Sequence, residues 1–299
     1  MGSRLHDKNY FYKYTSAETA LKIIKTKSFR WSSPLKFNDP FDHQTGFVFA
    51  SEPEYFSKLL RDSIIRIIFS DEEPNIQPHS LFSAMTLKLR SIRDRLSRDE
   101  VIKDFDEAGI EIASNLPKHF ADFNAALVEN FCNSRIFCVS ENHDNVVMWS
   151  HYADQHRGIV FKLACLDDID NVLLAARKVE YTKDFIKFHN AEDYAMHLTG
   201  EKPLDTVDLC WKLAFTKHAD WAYENEWRVH RPLLNEPQGD GYSIYSEHPR
   251  VFDEIYLGCR IPKEMAQNII DTTRAYLPHV KIFQGAKSTN KFSLSFTKI

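Results

Sequence analysis

The feature that most constrains the fold is a change of pattern along the 299-residue chain. Residues 52–131 repeat apolar side chains at helical spacing, as at Phe56, Leu60 and Ile64. On both sides of this block, short segments with strand character alternate with shorter helical patterns. Such a mixture is typical of an α+β domain. We therefore predict a single α+β domain over 1–299, interrupted by a helical insert at about 52–131.

The elements around the insert follow from the spacing of apolar residues. A helix start is indicated at Thr15 to Glu18, where a hydroxyl residue precedes a glutamate by three positions, as in a capping box. We predict helices at 17–26, 147–153, 191–198, 206–218 and 263–276. We predict strands at 28–33, 135–140, 158–163, 178–181, 226–233, 241–245, 254–257, 280–284 and 291–297.

Composition excludes several classes of protein. Lys and Arg number 38 against 42 Asp and Glu, so the net charge of −4 argues against a general polyanion binder. No apolar run approaches the roughly 20 residues that cross a bilayer, and residues 1–9 lack the apolar centre of a signal peptide. We therefore expect a cytoplasmic protein with no membrane partner. The 5 cysteines are odd in number and none forms a Cys-x-x-Cys pair, so we expect neither disulfides nor a structural metal.

A first polar and aromatic cluster lies near the N-terminus, in Tyr12-Lys13-Tyr14-Thr15, Trp31-Ser32-Ser33 and Asn38-Asp39-Pro40-Phe41-Asp42. One interpretation is a β–α–β unit with aromatic rings in the core and an Asx turn at 38–40. The other places Lys13, Tyr14 and the two serine hydroxyls around a polar ligand. The pattern alone leaves both open.

A second cluster is Met148-Trp149-Ser150-His151-Tyr152-Ala153, followed by His156. On a helix Trp149 and Tyr152 are i, i+3 neighbours on one face, and such pairs occur more often in a core than in a cofactor pocket. His151 and His156 are five residues apart and do not match the i, i+4 spacing of helical metal ligands. The pattern therefore favours no metal here.

A third cluster is Glu224-Asn225-Glu226-Trp227-Arg228. If Glu224 and Glu226 enter a strand, both carboxylates lie on one face and Trp227 and Val229 on the other. Two close carboxylates repel, which can raise the pKa of one and make it a proton acceptor. The competing interpretation is an exposed edge pair bridged by Arg228 or by a lysine.

The four motifs Tyr-Lys-Tyr, Trp-Ser-Ser-Pro-Leu-x-Phe-Asn-Asp-Pro-Phe-Asp, Met-Trp-Ser-His-Tyr-Ala-x-x-His-x-Gly and Glu-x-Glu-Trp-Arg occur here in that order. Together they resemble a bacterial family described as domain of unknown function 2971. The resemblance covers roughly residues 10–258, with 52–131 as its variable part. It implies no particular activity.

The order of elements is also similar to that of ADP-ribosyltransferase domains, which implies mixed short-stranded sheets and NAD as substrate. Tyr12-Lys13-Tyr14-Thr15 stands where those domains have their opening motif, although Lys13 replaces the His or Arg expected there. The strand and helix at 137–152 resemble the wall of the nicotinamide pocket. Asn225-Glu226-Trp227 resembles the motif with the catalytic glutamate.

The resemblance implies roles for individual residues. Glu226 would stabilise the ribosyl cation, Glu224 would position the acceptor, and Tyr14 would complete the catalytic set. Trp31, Trp149 and Tyr152 would line the nicotinamide pocket. The full set expected to bind NAD is Lys13, Trp31, Ser32, Ser33, Asn38, Asp39, Trp149, His151, Tyr152 and Arg228.

Three functions follow as hypotheses. The first is an NAD-dependent ADP-ribosyltransferase of bacterial toxin or phage-defence type, acting on a protein or nucleic acid. The second is a non-catalytic module that binds a nucleotide or a partner, with the helical insert as the partner surface. The third is a metal-assisted nuclease using Asp39, Asp42, His151 and Glu226. The sequence leaves the acceptor and the oligomeric state open.

Overall fold

The computed structural model of the chain describes residues 4–233 and 239–299. Its helices are α1 (Ala17–Thr26), α2 (Pro53–Phe69), α3 (Leu81–Ser91), α4 (Arg98–Cys132), α5 (Val146–Tyr152), α6 (Ala191–Thr199), α7 (Thr206–Ala214) and α8 (Lys263–Tyr276). Its strands are β1 (Tyr10–Thr15), β2 (Ser28–Ser32), β3 (Ser134–Ser140), β4 (Ile159–Ala164), β5 (Arg177–Lys178), β6 (Glu180–Thr182), β7 (Thr216–His218), β8 (Glu226–Pro232), β9 (Tyr242–Ser246), β10 (Phe252–Leu257), β11 (Lys281–Lys287) and β12 (Leu294–Lys298). The predicted α+β class is confirmed.

Local signals in the sequence predicted most of these elements. Both α1 and α8 have the predicted bounds. The N-cap of α1 is Ser16, whose Oγ accepts a hydrogen bond from the backbone N–H of Thr19, and not Thr15 as the capping-box pattern indicated. The predicted helix 206–218 is wrong at its end, because α7 stops at Ala214 and β7 follows. There the backbone pairs with β6 in parallel, and this tertiary pairing overrides the helical pattern.

The main sheet has the strand order β12-β11-β10-β4-β1-β3-β2-β9, with β8 on β3 and β5 on β8. All six residues of β1 pair with β4, from Tyr10 opposite Ala164 to Thr15 opposite Ile159. On its other side β1 meets β3 at one pair only, Tyr12 opposite Ser140. The strands therefore diverge beyond this pair, and the sheet is open at that point.

The chain divides into two compact units. The first is formed by Met1–Gln44, Asn130–Asp184 and Phe215–Ile299, and it contains the main sheet. Alternation along its strands places one set of side chains in a core around Phe29, Phe137, Phe161 and Trp227. A smaller core on this unit holds Tyr12, Tyr14, Met148, Trp149 and Tyr256.

The second unit is formed by Thr45–Glu129 and Phe185–Ala214. Its core joins the apolar face of α2, including Phe56, Leu60 and Ile64, to Ala191 and Ala195 of α6. The predicted insert at 52–131 falls on its helices, and the unit also includes 185–214. Whether the chain is one domain with an insert stays a prediction. Within the described ranges, no helix is both long and apolar enough to cross a membrane.

Candidate functional site

The three sequence clusters meet at one cavity in the first unit, where β1 and β3 diverge. The cavity has a volume of about 130 Å³, well above the ~10–15 Å³ needed for one water molecule. Its lining comes from β1, the loop after β2, β3, α5, β7, the 3₁₀ helix that follows β7 and the start of β8. The lining residues are Tyr12, Lys13, Tyr14, Phe37, Asn38, Asp42, Cys138, Val139, Ser140, Met148, Tyr152, Lys217, Glu224 and Glu226.

Glu224 and Glu226 converge on Lys217. Glu224 is the last residue of a 3₁₀ helix (Ala219–Glu224), Asn225 has φ 43°, and Glu226 is the first residue of β8. The Lys217 Nζ lies 2.6 Å from Glu224 Oε2 and 3.2 Å from Glu226 Oε2. The two carboxylates are thus brought together by a turn through a left-handed residue, and not by alternation along one strand. Trp227 and Val229, predicted on the strand face opposite the carboxylates, lie in the main core.

Arg228 holds a second side of the same cluster. Its Nε and Nη2 donate to Glu226 Oε1 and Oε2 at 2.8 and 3.0 Å. Its Nη1 and Nη2 donate to Asp42 Oδ1 and Oδ2 at 2.9 and 2.5 Å. The bridge by arginine and lysine that the sequence offered is therefore present. It is buried and not on an exposed edge, because β8 lies between β3 and β5 and the side chains of Asp42, Glu226 and Arg228 are at most 5% exposed.

His43 joins the cluster through Asp42. Its Nδ1 lies 2.7 Å from Asp42 Oδ1, while Nε2 is buried and has no hydrogen-bond partner among residues 4–233 and 239–299. Burial lowers the pKa of His43, and the Asp42 carboxylate only partly opposes this. The imidazole is therefore neutral near pH 7 and contributes no charge to the cluster.

The buried charges shift one another's pKa values. Burial raises the pKa of Glu226, but Arg228 and Lys217 outweigh burial and lower it to about 2. Burial also opposes ionisation of Asp42, yet Arg228 and the hydrogen bond from His43 hold its pKa below the usual range. The pKa of Glu224 is raised by burial and by the Glu226 charge. Glu224 is therefore the carboxylate of this cluster best suited to exchange a proton.

Hydroxyl groups complete the Glu224 side of the cavity. Tyr152 Oη donates to Glu224 Oε1 at 2.5 Å, and Asn38 Nδ2 donates to Tyr152 Oη at 3.3 Å. Tyr14 Oη donates to the backbone oxygen of Asn142 at 2.7 Å. Burial raises the pKa of Tyr14 and of Tyr152, so both hydroxyls keep their protons.

Several residues expected at the site lie elsewhere. Trp31 is 1% exposed and stacks on Phe137 in the main core, and Trp149 is fully buried with its Nε1 donating to the His143 oxygen. Arg228 supports the cavity through Glu226 without lining it. The others outside the lining are Ser32 in β2, Ser33 bonded to the Cys132 oxygen, Asp39 bonded to the Phe41 N–H, and His151 facing the Tyr223 hydroxyl.

The structure brings Lys13, Tyr14, Asn38, Tyr152, Glu224 and Glu226 of the predicted set to the cavity. The sequence missed Lys217, because the helical pattern of 206–218 gave it no special position. Cys138 and Ser140 lie in the strand that resembles a pocket wall but were not predicted as site residues, although alternation along β3 places both opposite the core residues Phe137 and Val139. That alternation was the available signal.

No arrangement for a metal ion is present in the described part of the chain, where no group of three or more His, Cys, Asp and Glu side chains could hold one. Asp39 and His151 of the nuclease hypothesis do not reach the cavity that Asp42 and Glu226 line.

Comparison with known proteins matches part of the chain to a family model. Residues 148–229 match the model of a family described as a protein of unknown function, DUF2971. The match contains the Met148 and Glu224 motifs and covers less than half of the chain, so it supports the resemblance over a narrower range than 10–258. No curated protein and no solved structure matches the chain.

Proposed function

We propose that the cavity binds NAD and that the protein transfers ADP-ribose from it to an acceptor. The observation that carries this is the convergence of three segments on one cavity that ends at Glu224 and Glu226. The second and the third segment each lie more than a hundred residues after the first. They are the segments in which the resemblance to ADP-ribosyltransferases was found. A role as a toxin or in phage defence belongs to the same proposal and comes from the resemblance.

The charge of the site supports a cationic substrate. Asp42, Glu224 and Glu226 are balanced by two groups held firmly protonated, Lys217 and Arg228, whose pKa values the carboxylates raise against burial. With Glu224 ionised, three negative charges face two positive ones and leave an excess of one negative charge, which Lys13 cancels only while it is protonated. A fixed negative charge in a buried site stabilises a cation that develops there. Both the nicotinamide ring of NAD and the ribosyl group after bond breaking are cationic.

The residues available for this chemistry differ from those first expected. The rings of Tyr12, Tyr14, Phe37 and Tyr152 line the cavity in place of the two buried tryptophans. When the bond between the ribose carbon and the ring nitrogen breaks, its electron pair goes to the ring, which leaves neutral. The acceptor's lone pair then forms the new bond, and its proton goes to Glu224.

The test is release of nicotinamide from NAD, measured by chromatography with protein and nucleic acid acceptor pools. We expect turnover by the wild type and a loss of about 100-fold or more in Glu224→Gln and in Glu226→Gln. Glu264→Gln, at an exposed position in α8, is the matched control. Absence of nicotinamide release by the wild type, or equal rates in all variants, would contradict the proposal.

A binding module remains the second candidate, and one observation favours it. Each oxygen of Glu224 and Glu226 already has a partner in Tyr152, Lys217 or Arg228. Such saturation is typical of a structural network. In that case NAD or another nucleotide binds without turnover, and Glu226→Gln keeps its affinity within about twofold.

A further inference from the structure

Lys13 differs from the other cations at the cavity in its partners. Its Nζ donates one hydrogen bond, at 2.7 Å, to the backbone oxygen of Cys138, and it lies 4.8 Å from the centre of the Phe137 ring. This follows from the opening of the sheet, since β1 and β3 pair only at Tyr12 and Ser140 and the Cys138 oxygen faces the gap. The amine therefore lies in the gap where the cavity forms.

No carboxylate of the described residues lies within 4.0 Å of the Lys13 amine. Lys217, by contrast, has three within that distance, on Asp42, Glu224 and Glu226. The cluster thus holds Lys217 as an ammonium ion and leaves Lys13 without an ion pair. Deprotonation of Lys13 breaks no ion pair.

The groups that face Lys13 act in both directions. Burial lowers its pKa, and Arg30 of β2 lowers it further. Cys138 of β3, Glu226 of β8 and Glu224 oppose this without reversing it. A lysine amine in a poorly solvated site becomes a nucleophile at neutral pH, because more of it carries a free lone pair.

We propose that Lys13 is a nucleophilic amine that forms an imine with an aldehyde, such as the open-chain form of an aldose, held in the cavity. The Nζ lone pair forms a bond to the carbonyl carbon, and the carbonyl electron pair moves to its oxygen. That oxygen takes up the two protons released by nitrogen and leaves as water, so that a C=N bond remains. Glu224, which lines the same cavity, carries protons between the two atoms.

The inference does not depend on NAD, and its test uses none. The full chain is incubated with glycolaldehyde and cyanoborohydride, which reduces an imine to a stable secondary amine, and labelled peptides are quantified by mass spectrometry. Lys103, whose side chain is 77% exposed, is the reference in the same molecule. At pH 7 we expect Lys13 to be labelled at least about tenfold faster than Lys103. As the pH rises, the labelling rate of Lys13 should level off at a lower pH than that of Lys103.

A pair of variants tests whether the aldehyde reacts from the cavity. Asn38→Trp places a large ring at a lining position, whereas Leu35→Trp alters an exposed residue outside the lining. Labelling of Lys13 should fall at least about fivefold in Asn38→Trp and stay unchanged in Leu35→Trp. Labelling of wild-type Lys13 no faster than Lys103, or parallel pH profiles for the two, would overturn the inference whether or not NAD is turned over.

Discussion

Arg228 is the residue whose removal tests the buried cluster most severely. Its guanidinium is 1% exposed and donates to both oxygens of Asp42 and of Glu226, whose side chains are 1% and 5% exposed. Arg228→Met keeps much of the aliphatic volume but leaves two carboxylates with Lys217 as their remaining cation. Removing one partner of a buried ion pair costs about 3–5 kcal/mol, because the other charge stays buried without compensation.

The loss of stability in Arg228→Met should depend on pH in a defined direction. The pKa of Glu226 in the wild type is lowered from 4.5 to about 2, so its contribution to the free energy of unfolding is complete above pH 4.5 and is lost as the pH falls toward 2. In Arg228→Met the carboxylates lose the group that lowers their pKa values. The variant should therefore be most destabilised at neutral pH and recover part of the loss near pH 5, where protonation removes the unpaired charge.

Urea unfolding at pH 7.5 and at pH 5 measures both effects. Arg250→Met is the matched control, since Arg250 pairs with Asp168 at 2.7 Å but both side chains are more than half exposed. Such a surface pair contributes about 0–1 kcal/mol. A loss below about 1 kcal/mol in Arg228→Met, or a loss equal at both pH values, would refute the account of the cluster.

Three further changes have expected outcomes. Burial and the nearby Asp170 raise the pKa of Glu247 to about 7, so ionisation of Glu247 lowers the stability of the fold as the pH rises from 4.5 to 7. Glu247→Gln should therefore raise the free energy of unfolding by on the order of 3 kcal/mol at pH 8 and by little at pH 4. An equal gain at both pH values would be inconsistent with this. Tyr152→Phe removes the hydrogen bond to Glu224 and should lower the free energy of unfolding by about 1.5–3 kcal/mol at pH 7, measured in urea; no change would mean that water replaces the hydroxyl. Gly158→Ala places a Cβ 2.2 Å from the Thr15 oxygen and should cost at least about 2 kcal/mol, seen as a lower melting temperature, whereas an unchanged melting temperature would mean that β1 can shift there.

The sequence predicted the local elements better than the site. The bounds of α1 and α8 follow from apolar faces and end signals that lie within each helix. Most strands follow from alternation, which also predicted that Trp227 and Val229 lie on the face opposite Glu226, and this face packs into the core. Such signals depend on neighbours along the chain, and they were sufficient for most elements but not for β7, which forms by pairing with β6.

The site depends on pairs that no local pattern records. Arg228 and Asp42 are 186 residues apart, and Lys217 lies in a strand where the apolar spacing predicted a helix. The Glu224–Glu226 motif was recognised, yet its geometry comes from the left-handed Asn225 and not from strand alternation. Trp31 and Trp149 were expected to line the cavity, but both are buried in the core, because large aromatic rings bury much apolar surface against apolar neighbours. Only the three-dimensional pairing shows which polar residues face the same space.

The central claim is that this cavity is a ligand site for NAD, and calorimetric titration of the full chain with NAD tests it most directly. We expect binding at one site by the wild type and by Leu35→Trp, and an affinity at least about tenfold weaker in Asn38→Trp, whose ring occupies the lining. The absence of any binding heat in the wild type, or equal affinity in all three proteins, would contradict the claim.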